Sequence, residues 1–325
     1  MPVWFYIFLG VVVNCLWGTA FLIPHYLSDI NPIAISMGRY LVYGLVSLFL
    51  ALFTLKKLRQ LTVRQWRYAF LFAFLGNVGY YLCMALSVHY GGITTAALVE
   101  GVTPLMMILA GCIFAKSNDK DFGFQSLLLP FLMVLTGVVL LKQSYVPQGV
   151  HAATDYSWYL GFFFAIAALL LWVWYAFSNA GFMKENPEVS ASTWSVAIGV
   201  GCFFQAVLGA TVFSLLSEGS LVRVGASLAT PIMSLVAACL FLGVIVSWLA
   251  TVWWNQVSRH IPIMIIGPLC VFETLSSLFY GYLNDQRLPG MGEILAIFLM
   301  VGGVLLSMLV MSGSLKKPAL VLQEG

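Results

Sequence analysis

Charged residues are scarce in this chain of 325 residues: only 8% are Asp, Glu, Lys or Arg, whereas 61% are hydrophobic. An ordinary soluble domain is about a quarter charged and about half apolar. A surface in contact with water needs more charge than this sequence supplies. The composition therefore excludes a soluble enzyme, a nucleic-acid-binding protein and a disordered scaffold, and it predicts an all-α polytopic membrane protein.

Several kinds of site are also missing from the sequence. It has no Walker A motif, no HExxH and no GxSxG elbow, and its six cysteines lie far apart in apolar runs without a CxxC pair. We therefore expect no ATP-driven step, no disulfide framework, no metal and no cofactor. The sequence predicts a protein that is not an enzyme.

Ten apolar runs are long enough to cross a membrane, since a transmembrane helix needs about 20 apolar residues. Backbone groups inside lipid must bond within their own segment, so each run is predicted to be a helix. No Lys or Arg precedes the first run, which is expected to stay as a span rather than be cleaved as a signal peptide. The predicted spans are 4–24, 33–55, 67–88, 93–115, 124–142, 158–181, 192–216, 231–255, 261–283 and 291–312.

The distribution of basic residues predicts the orientation. Of the fifteen Lys and Arg residues, eleven lie in the loops of one side and three in those of the other. The side that is richer in Lys and Arg is normally cytoplasmic. We therefore expect both termini in the cytoplasm, with the segment 56–67 as the strongest anchor.

Short sequence matches between the two halves indicate an internal repeat. Four of them occur in the same order along the chain. They are Leu16-Trp17 with Leu171-Trp172, Phe74-Leu75-Gly76 with Phe241-Leu242-Gly243, Pro104-Leu105 with Pro268-Leu269, and Gly137-Val138-Val139-Leu140 with Gly303-Val304-Leu305-Leu306. Because five spans is an odd number, the second half enters the membrane the opposite way up. This predicts a 5+5 inverted-topology repeat that encloses a site near the membrane midplane, although a duplication kept only for packing remains an alternative.

The order of several short motifs resembles the ten-helix drug/metabolite transporter superfamily, in its EamA-type branch and its YtfF-like subgroup. The motifs are Leu16-Trp17-Gly18-Thr19, Ser36-Met37-Gly38-Arg39-Tyr40, Thr103-Pro104-Leu105, Trp174-Tyr175-Ala176 with Asn179-Ala180, Gly267-Pro268-Leu269 and Phe272-Glu273-Thr274-Leu275. The resemblance implies EamA-like five-helix repeats at 1–145 and 155–313, a cytoplasmic tail at 314–325, a central cavity and secondary transport. It also implies a bacterial inner, or plasma, membrane. The Gly-Glu pair that many EamA members carry after spans 4 and 9 is absent here.

Three ionisable residues, Arg39, Glu100 and Glu273, lie well inside predicted spans. Each costs at least about 2.5–3.5 kcal/mol near a helix centre unless it is paired or faces water, so each is a candidate functional residue. Arg39 and Glu100 share a depth of about 9–10 Å, at about 1.5 Å per residue, and an ion pair between them is feasible. Such a pair is either a permanent contact between spans 2 and 4 or a gate.

Glu273 has no basic residue at its own depth in the sequence. Because loss of water penalises the carboxylate, we expect Glu273 to carry a proton much of the time. We predict that it exchanges this proton for substrate; the alternative is a neutral side chain that donates a hydrogen bond to Ser276, Ser277 or a carbonyl group.

Two prolines and three polar stripes add candidate residues. Pro104 and Pro268 occupy matching places in the two halves and are predicted to interrupt their helices beside the site, although harmless kinks are an alternative. Amides and aromatic rings recur at helical spacing, which suits a moist cavity, or helices joined by amide hydrogen bonds. The sets are Asn14 and Trp17 in span 1; Asn77, Tyr80 and Tyr81 in span 3; and Trp172, Tyr175 and Asn179 in span 6. Trp253 and Trp254 are expected to anchor span 8 at the membrane interface.

These residues predict a small-molecule transporter. If both glutamates ionise, the buried charge is negative, and a cavity with aromatic walls then favours cationic or zwitterionic substrates. We expect alternating access with proton coupling, and the family resemblance implies export of amino-acid-like or cationic metabolites or toxic amphiphiles. Two alternatives stay open: an importer of quaternary amines such as choline, and a membrane sensor or scaffold that transports nothing.

Overall fold

A computed structural model describes residues 3–27, 29–114, 124–144, 155–216, 229–261, 266, 269–284 and 286–314. All regular structure in these residues is helical. The first part contains α1 (Val3–Gly18), a 3₁₀ turn (Thr19–Phe21), α2 (Leu22–Tyr26), α3 (Pro32–Leu58), α4 (Val63–Ala73), the π-helical segment π1 (Phe74–Val78), α5 (Gly79–Glu100), α6 (Thr103–Phe114) and α7 (Phe124–Ser144). The second contains α8 (Asp155–Glu185), α9 (Ala191–Leu216), α10 (Ala229–Leu240), the π-helical segment π2 (Phe241–Leu249), α11 (Ala250–His260), α12 (Val271–Asn284) and α13 (Met291–Ser314).

Six stretches of the described chain are long and apolar enough to cross a membrane. They are Val3–Tyr26, Pro32–Leu58, Val63–Ile93, Tyr156–Glu185, Ala191–Leu215 and Ile232–His260. These stretches match the predicted spans 1, 2, 3, 6, 7 and 8, so a polytopic all-α membrane protein is confirmed. The predicted spans 4, 5, 9 and 10 fall on α6, α7, α12 and α13, where the helices are shorter or border undescribed residues. The count of ten spans stays a prediction.

Local sequence explains where several helices begin and end. The side chain of Asn31 accepts a hydrogen bond from the backbone of Ile33 (2.9 Å), and Pro32 fills the first turn of α3, where no N–H donor is needed. Thr62 and Gln65 form a reciprocal capping box at the start of α4. Gly92 has φ = 80° and ψ = 166°, a conformation that suits glycine, and it breaks α5 between predicted spans 3 and 4.

The repeated Phe-Leu-Gly sequences mark the same structural feature in both halves. π1 begins at Phe74 and π2 begins at Phe241, each inside a long membrane helix. π-Helical turns are rare, and they occur often at functional sites because they change which side chains face a neighbour. Both π segments contribute residues to the cavity described below.

Helices from the first half pack directly on helices from the second half. α3 packs on α9, α5 on α8, and α7 on α13. In the last pair, a Cβ added to Gly137 would lie 2.7 Å from Met300, and one added to Gly303 would lie 2.8 Å from Val134. Small residues allow membrane helices this close approach. The repeated glycine motif therefore brings the two helices together from both sides.

Candidate functional site

A cavity lies between the two halves of the described chain. Eight of the predicted site residues line it: Trp17, Arg39, Asn77, Tyr80, Tyr81, Trp172, Tyr175 and Glu273. The other lining residues are Ala20, Gly76, Met84, Val246, Ser247 and Thr251. The polar and aromatic stripes predicted on spans 1, 3 and 6 therefore meet around one space.

Aromatic rings form one wall of this cavity. The rings of Trp17 and Trp172 meet edge to face with centroids 4.9 Å apart, and Tyr80 and Tyr175 flank Trp172 at 5.1 and 5.2 Å. Trp17 also donates from its indole nitrogen to the backbone oxygen of Val246 in π2, at 3.0 Å. The electron-rich faces of such rings attract a substrate cation or an apolar group.

Trp254 belongs to this aromatic cluster, and the prediction that it anchors span 8 at the membrane interface is wrong. Its side chain is buried, with ring centroids 5.0 Å from Trp17 and 5.9 Å from Trp172. Trp253, its neighbour, is half-buried. Adjacent residues on a helix point about 100° apart, so one indole faces the centre of the protein and the other does not.

Arg39 supplies a positive charge to the cavity. Its Nε donates to the hydroxyl oxygen of Ser247 at 2.7 Å, and its guanidinium group lies over the ring of Tyr81, 4.1 Å from the centroid, and near Tyr40 at 5.2 Å. Within the described part of the chain, no carboxylate lies within ion-pair distance of Arg39. The charge is therefore held by a hydroxyl group and by aromatic faces, and it can still pair with a substrate anion.

The ion pair considered between Arg39 and Glu100 is not formed. α3 packs on α9 and π2, which directs Arg39 to Ser247. Glu100 is buried, and its Oε2 accepts a hydrogen bond from the Thr103 hydroxyl at 3.0 Å. Equal depth in the membrane was therefore not enough to make these two residues neighbours.

Glu273 supplies the carboxyl group of the cavity. It lies in the first turn of α12, is 6% exposed, and accepts a long hydrogen bond of 3.4 Å from the Tyr80 hydroxyl. The hydroxyl of Ser276 donates to the backbone oxygen of Glu273 at 3.0 Å. Tyr80 is thus the hydroxyl partner of the carboxyl group, and the cavity contains a guanidinium group at Arg39 and an acidic group at Glu273.

Four predicted site residues lie away from the cavity lining or outside the described chain. Asn14 is buried and donates to the backbone oxygen of Gly10 at 2.7 Å, within α1. Glu100 ends α5 and does not line the cavity. Pro104 lies in the first turn of α6, where it starts a helix after the turn at 101–102 instead of kinking a continuous one. Pro268 lies outside the described residues.

Ser247 and Thr251 are cavity residues that sequence reasoning missed. They lie four residues apart on one face of the helix that contains π2 and α11. When Phe241 is aligned with Phe74, these two residues match Tyr80 and Met84, which line the cavity from the first half. The internal repeat was therefore the signal that identifies them, whereas a search for amides and rings passes over hydroxyl groups.

A buried polar network joins α3, α8, α9 and α11 beside the cavity. Asn179 donates to Asn255 and accepts from the indole nitrogen of Trp194, both at 2.8 Å. Asn255 donates to the Ser195 hydroxyl, and Tyr43 donates to the Ser195 backbone oxygen, each at 2.8 Å. These amide groups connect helices and do not face the cavity, which is the alternative that was left open for the polar stripes.

Comparisons with known proteins agree with this architecture. Residues 4–142 match the EamA-like transporter family. The chain is 26% identical over 301 residues to the inner membrane protein YtfF of Escherichia coli (strain K12), which covers 92% of this chain and 93% of that protein. A crystal structure of a protein with 18% identity has a TM-score of 0.68 and covers 95% of this chain and 98% of its own, so the two share a fold. The chain is therefore similar to EamA-like transporters over residues 4–142 and to the inner membrane protein YtfF along nearly its whole length.

Proposed function

We propose that the protein is a secondary active transporter that exports a small zwitterionic or cationic metabolite in exchange for protons. The observation that carries the proposal is the cavity with opposite charges at Arg39 and Glu273 beside an aromatic wall. Because Glu100 does not line this cavity, the charges of its lining balance. A substrate with both an ammonium and a carboxylate group therefore fits better than a simple cation.

In this proposal each end of the substrate has a partner. The substrate carboxylate pairs with Arg39, whose guanidinium group faces the cavity between Ser247 and Tyr81. The ammonium group pairs with Glu273 and contacts the rings of Trp172 and Tyr80. A proton and an ammonium group compete for the carboxylate of Glu273, so the binding of one favours release of the other. No bond of the substrate is broken, which distinguishes transport from catalysis.

We also propose that two five-helix repeats, 1–145 and 155–313, rock around this cavity with opposite topology. Repeat-matched features support this arrangement: Trp17 contacts Trp172, and the π segments begin at Phe74 and Phe241. The packing between the halves has the same symmetry. The contact of α5 with α8 is matched in the repeat by the contact of α11 with α1. The name of YtfF supports an inner-membrane location, and the excess of basic residues supports cytoplasmic termini and a cytoplasmic tail at 314–325.

A ligand screen followed by counterflow tests the proposal. Purified protein is heated with amino acids, polyamines and quaternary amines, because a bound ligand raises Tm by mass action. Each compound that raises Tm is then measured in proteoliposomes for saturable exchange. A zwitterion is expected to lose binding in both Arg39→Met and Glu273→Gln, whereas a simple cation such as choline loses it only in Glu273→Gln. Glu185→Gln, which removes an exposed carboxylate, is the control.

The alternatives give different results in the same experiments. A sensor or scaffold binds a ligand without saturable exchange. An importer of quaternary amines binds choline in Arg39→Met and takes it up on membrane potential without a pH gradient. Transport by Glu273→Gln that kept the full dependence on the pH gradient would exclude Glu273 as the residue that exchanges the proton.

A further inference from the structure

Glu100 is a buried carboxyl group that the substrate cavity does not use. It is the last residue of α5 and is 4% exposed. Thr103 donates to its Oε2, whereas its Oε1 finds no hydrogen-bond partner among the residues that the structure describes. A buried carboxyl oxygen without a partner is strongly destabilising. Oε1 is therefore available to a small ligand.

The backbone around Glu100 adds a second oxygen atom. In a continuous helix the residue at 104 would donate to the carbonyl oxygen of Glu100, but Pro104 has no N–H group. The chain leaves the helix here, and the Val102 nitrogen donates to the Val99 oxygen at 3.0 Å. Glu100 thus places a carboxyl oxygen and a carbonyl oxygen at one helix end, next to the Thr103 hydroxyl. Oxygen atoms of these kinds bind protons and alkali ions at broken membrane helices.

Glu100 and Glu273 lie at opposite kinds of helix end. Glu100 ends α5, and the C-terminal end of a helix carries partial negative charge, which attracts a cation. Glu273 lies in the first turn of α12, where the partial positive charge of the N-terminal end suits an anion. Glu100 and Glu273 also interact electrostatically, and Tyr80 interacts electrostatically with both of them and with Arg39. A change of charge at one carboxyl group therefore affects the other.

We infer that Glu100 binds one small monovalent cation, a proton or an alkali ion, at a site beside the substrate cavity and coupled to it through Glu273. The inference rests on the proposed function, to which it adds a second cation site besides Glu273. A cation at Glu100 and an ammonium group at Glu273 are like charges in coupled sites, so each weakens the binding of the other. By linkage this effect is reciprocal, and reciprocal weakening is what exchange requires.

Two measurements on the purified protein without substrate test this site. In the first, Tm is compared in chloride salts of sodium, lithium, potassium and N-methyl-D-glucamine at equal ionic strength. In the second, infrared difference spectra between acidic and neutral pH record the carbonyl band of a buried carboxylic acid. If Glu100 binds an alkali ion, Tm in the chloride of that ion is higher than Tm in N-methyl-D-glucamine chloride. If Glu100 binds a proton, the carbonyl band changes with pH and Tm is the same in all four salts.

The variants decide whether the signal belongs to Glu100. We expect the salt-specific shift in Tm, or the Glu100 component of the carbonyl band, to disappear in Glu100→Gln. The same component should remain in Glu185→Gln and in Glu273→Gln, which removes only the band of Glu273 itself. Thr103→Val, which removes the donor to Oε2 but keeps the carboxyl group, is expected to shift the signal, and it keeps the test decisive if Glu100→Gln does not fold. A signal that is unchanged in Glu100→Gln, or that is lost only in Glu273→Gln, overturns the inference. Because no substrate is present, loss of counterflow with an intact Glu100 signal refutes the proposed function alone.

Discussion

Gly44 lies where α3 packs tightly on α9, and replacing it with alanine tests the packing of these helices. The added Cβ would lie 2.4 Å from Cβ, 2.7 Å from Cα and 2.9 Å from the nitrogen of Phe203. Two of these three atoms belong to the backbone, so a change of side-chain rotamer cannot remove the clash. Overpacking costs about 1–3 kcal/mol, and rigid neighbours place this case near the upper end.

The helix propensity of alanine acts in the opposite direction. Alanine is favoured over glycine by up to about 1 kcal/mol inside a helix, so Gly44→Ala should destabilise the protein by about 1–2 kcal/mol in total. Gly181→Ala in α8 is the matched control, because no described atom lies within 4 Å of its added Cβ. In this variant only the higher helix propensity of alanine acts, so its free energy of unfolding should rise by up to about 1 kcal/mol.

Unfolding by SDS in mixed micelles, followed by tryptophan fluorescence, measures both variants. We expect the midpoint to fall in Gly44→Ala and to rise slightly in Gly181→Ala, with a gap of about 2–3 kcal/mol between them. If the two variants were equally stable, α3 and α9 would have to lie farther apart than described, and the argument from close helix packing would be refuted.

Three further substitutions have expected outcomes. Asn179→Leu leaves a buried indole N–H and a buried amide without partners and should lower the free energy of unfolding by at least about 2 kcal/mol in the same SDS assay. Trp254→Ala should cost about 3–5 kcal/mol because the ring is fully buried, and Trp253→Ala clearly less; equal losses would contradict the burial of only one ring. Gly76→Ala puts a Cβ 2.3 Å from the Tyr175 ring in the cavity wall. We therefore expect it to reduce the rise in Tm that a ligand causes by more than it lowers the Tm of the protein without ligand.

The sequence predicted positions along the helices better than it predicted contacts between them. Apolar runs located six long membrane helices, and the stripes Trp17, Tyr80 and Trp172 led to the cavity wall. The positions of the helices and the stripes on them follow from properties of single helices: length, hydropathy and the spacing of about 3.6 residues per turn. The sequence does not show which helices are neighbours. Arg39 was therefore compared with Glu100 at its own depth, while its partner in the structure is Ser247 on another helix.

Irregular backbone was the second feature that periodicity could not reveal. The Phe-Leu-Gly matches suggested a repeat, but the wider π turns that begin at Phe74 and Phe241 depend on tertiary contacts as well as on local sequence. Trp254 shows the same limit, because a tryptophan near a span end suits the membrane interface and the protein interior equally well. The packing of π2 and α11 against α1 decides between these places.

Each π segment also divides its membrane helix into two parts whose side-chain faces are rotated relative to each other about the helix axis. A residue inserted into an α-helix rotates everything that follows by about 100°, so the stretch before Gly76 or Gly243 and the stretch after it do not share one continuous lipid-facing stripe. A tryptophan or cysteine scan of solvent and lipid accessibility along 63–90 or 232–260 should therefore show its periodic pattern slip at these glycines. Deleting one residue there would bring the two parts back into phase and turn the hydroxyl face of Ser247 and Thr251 away from the cavity.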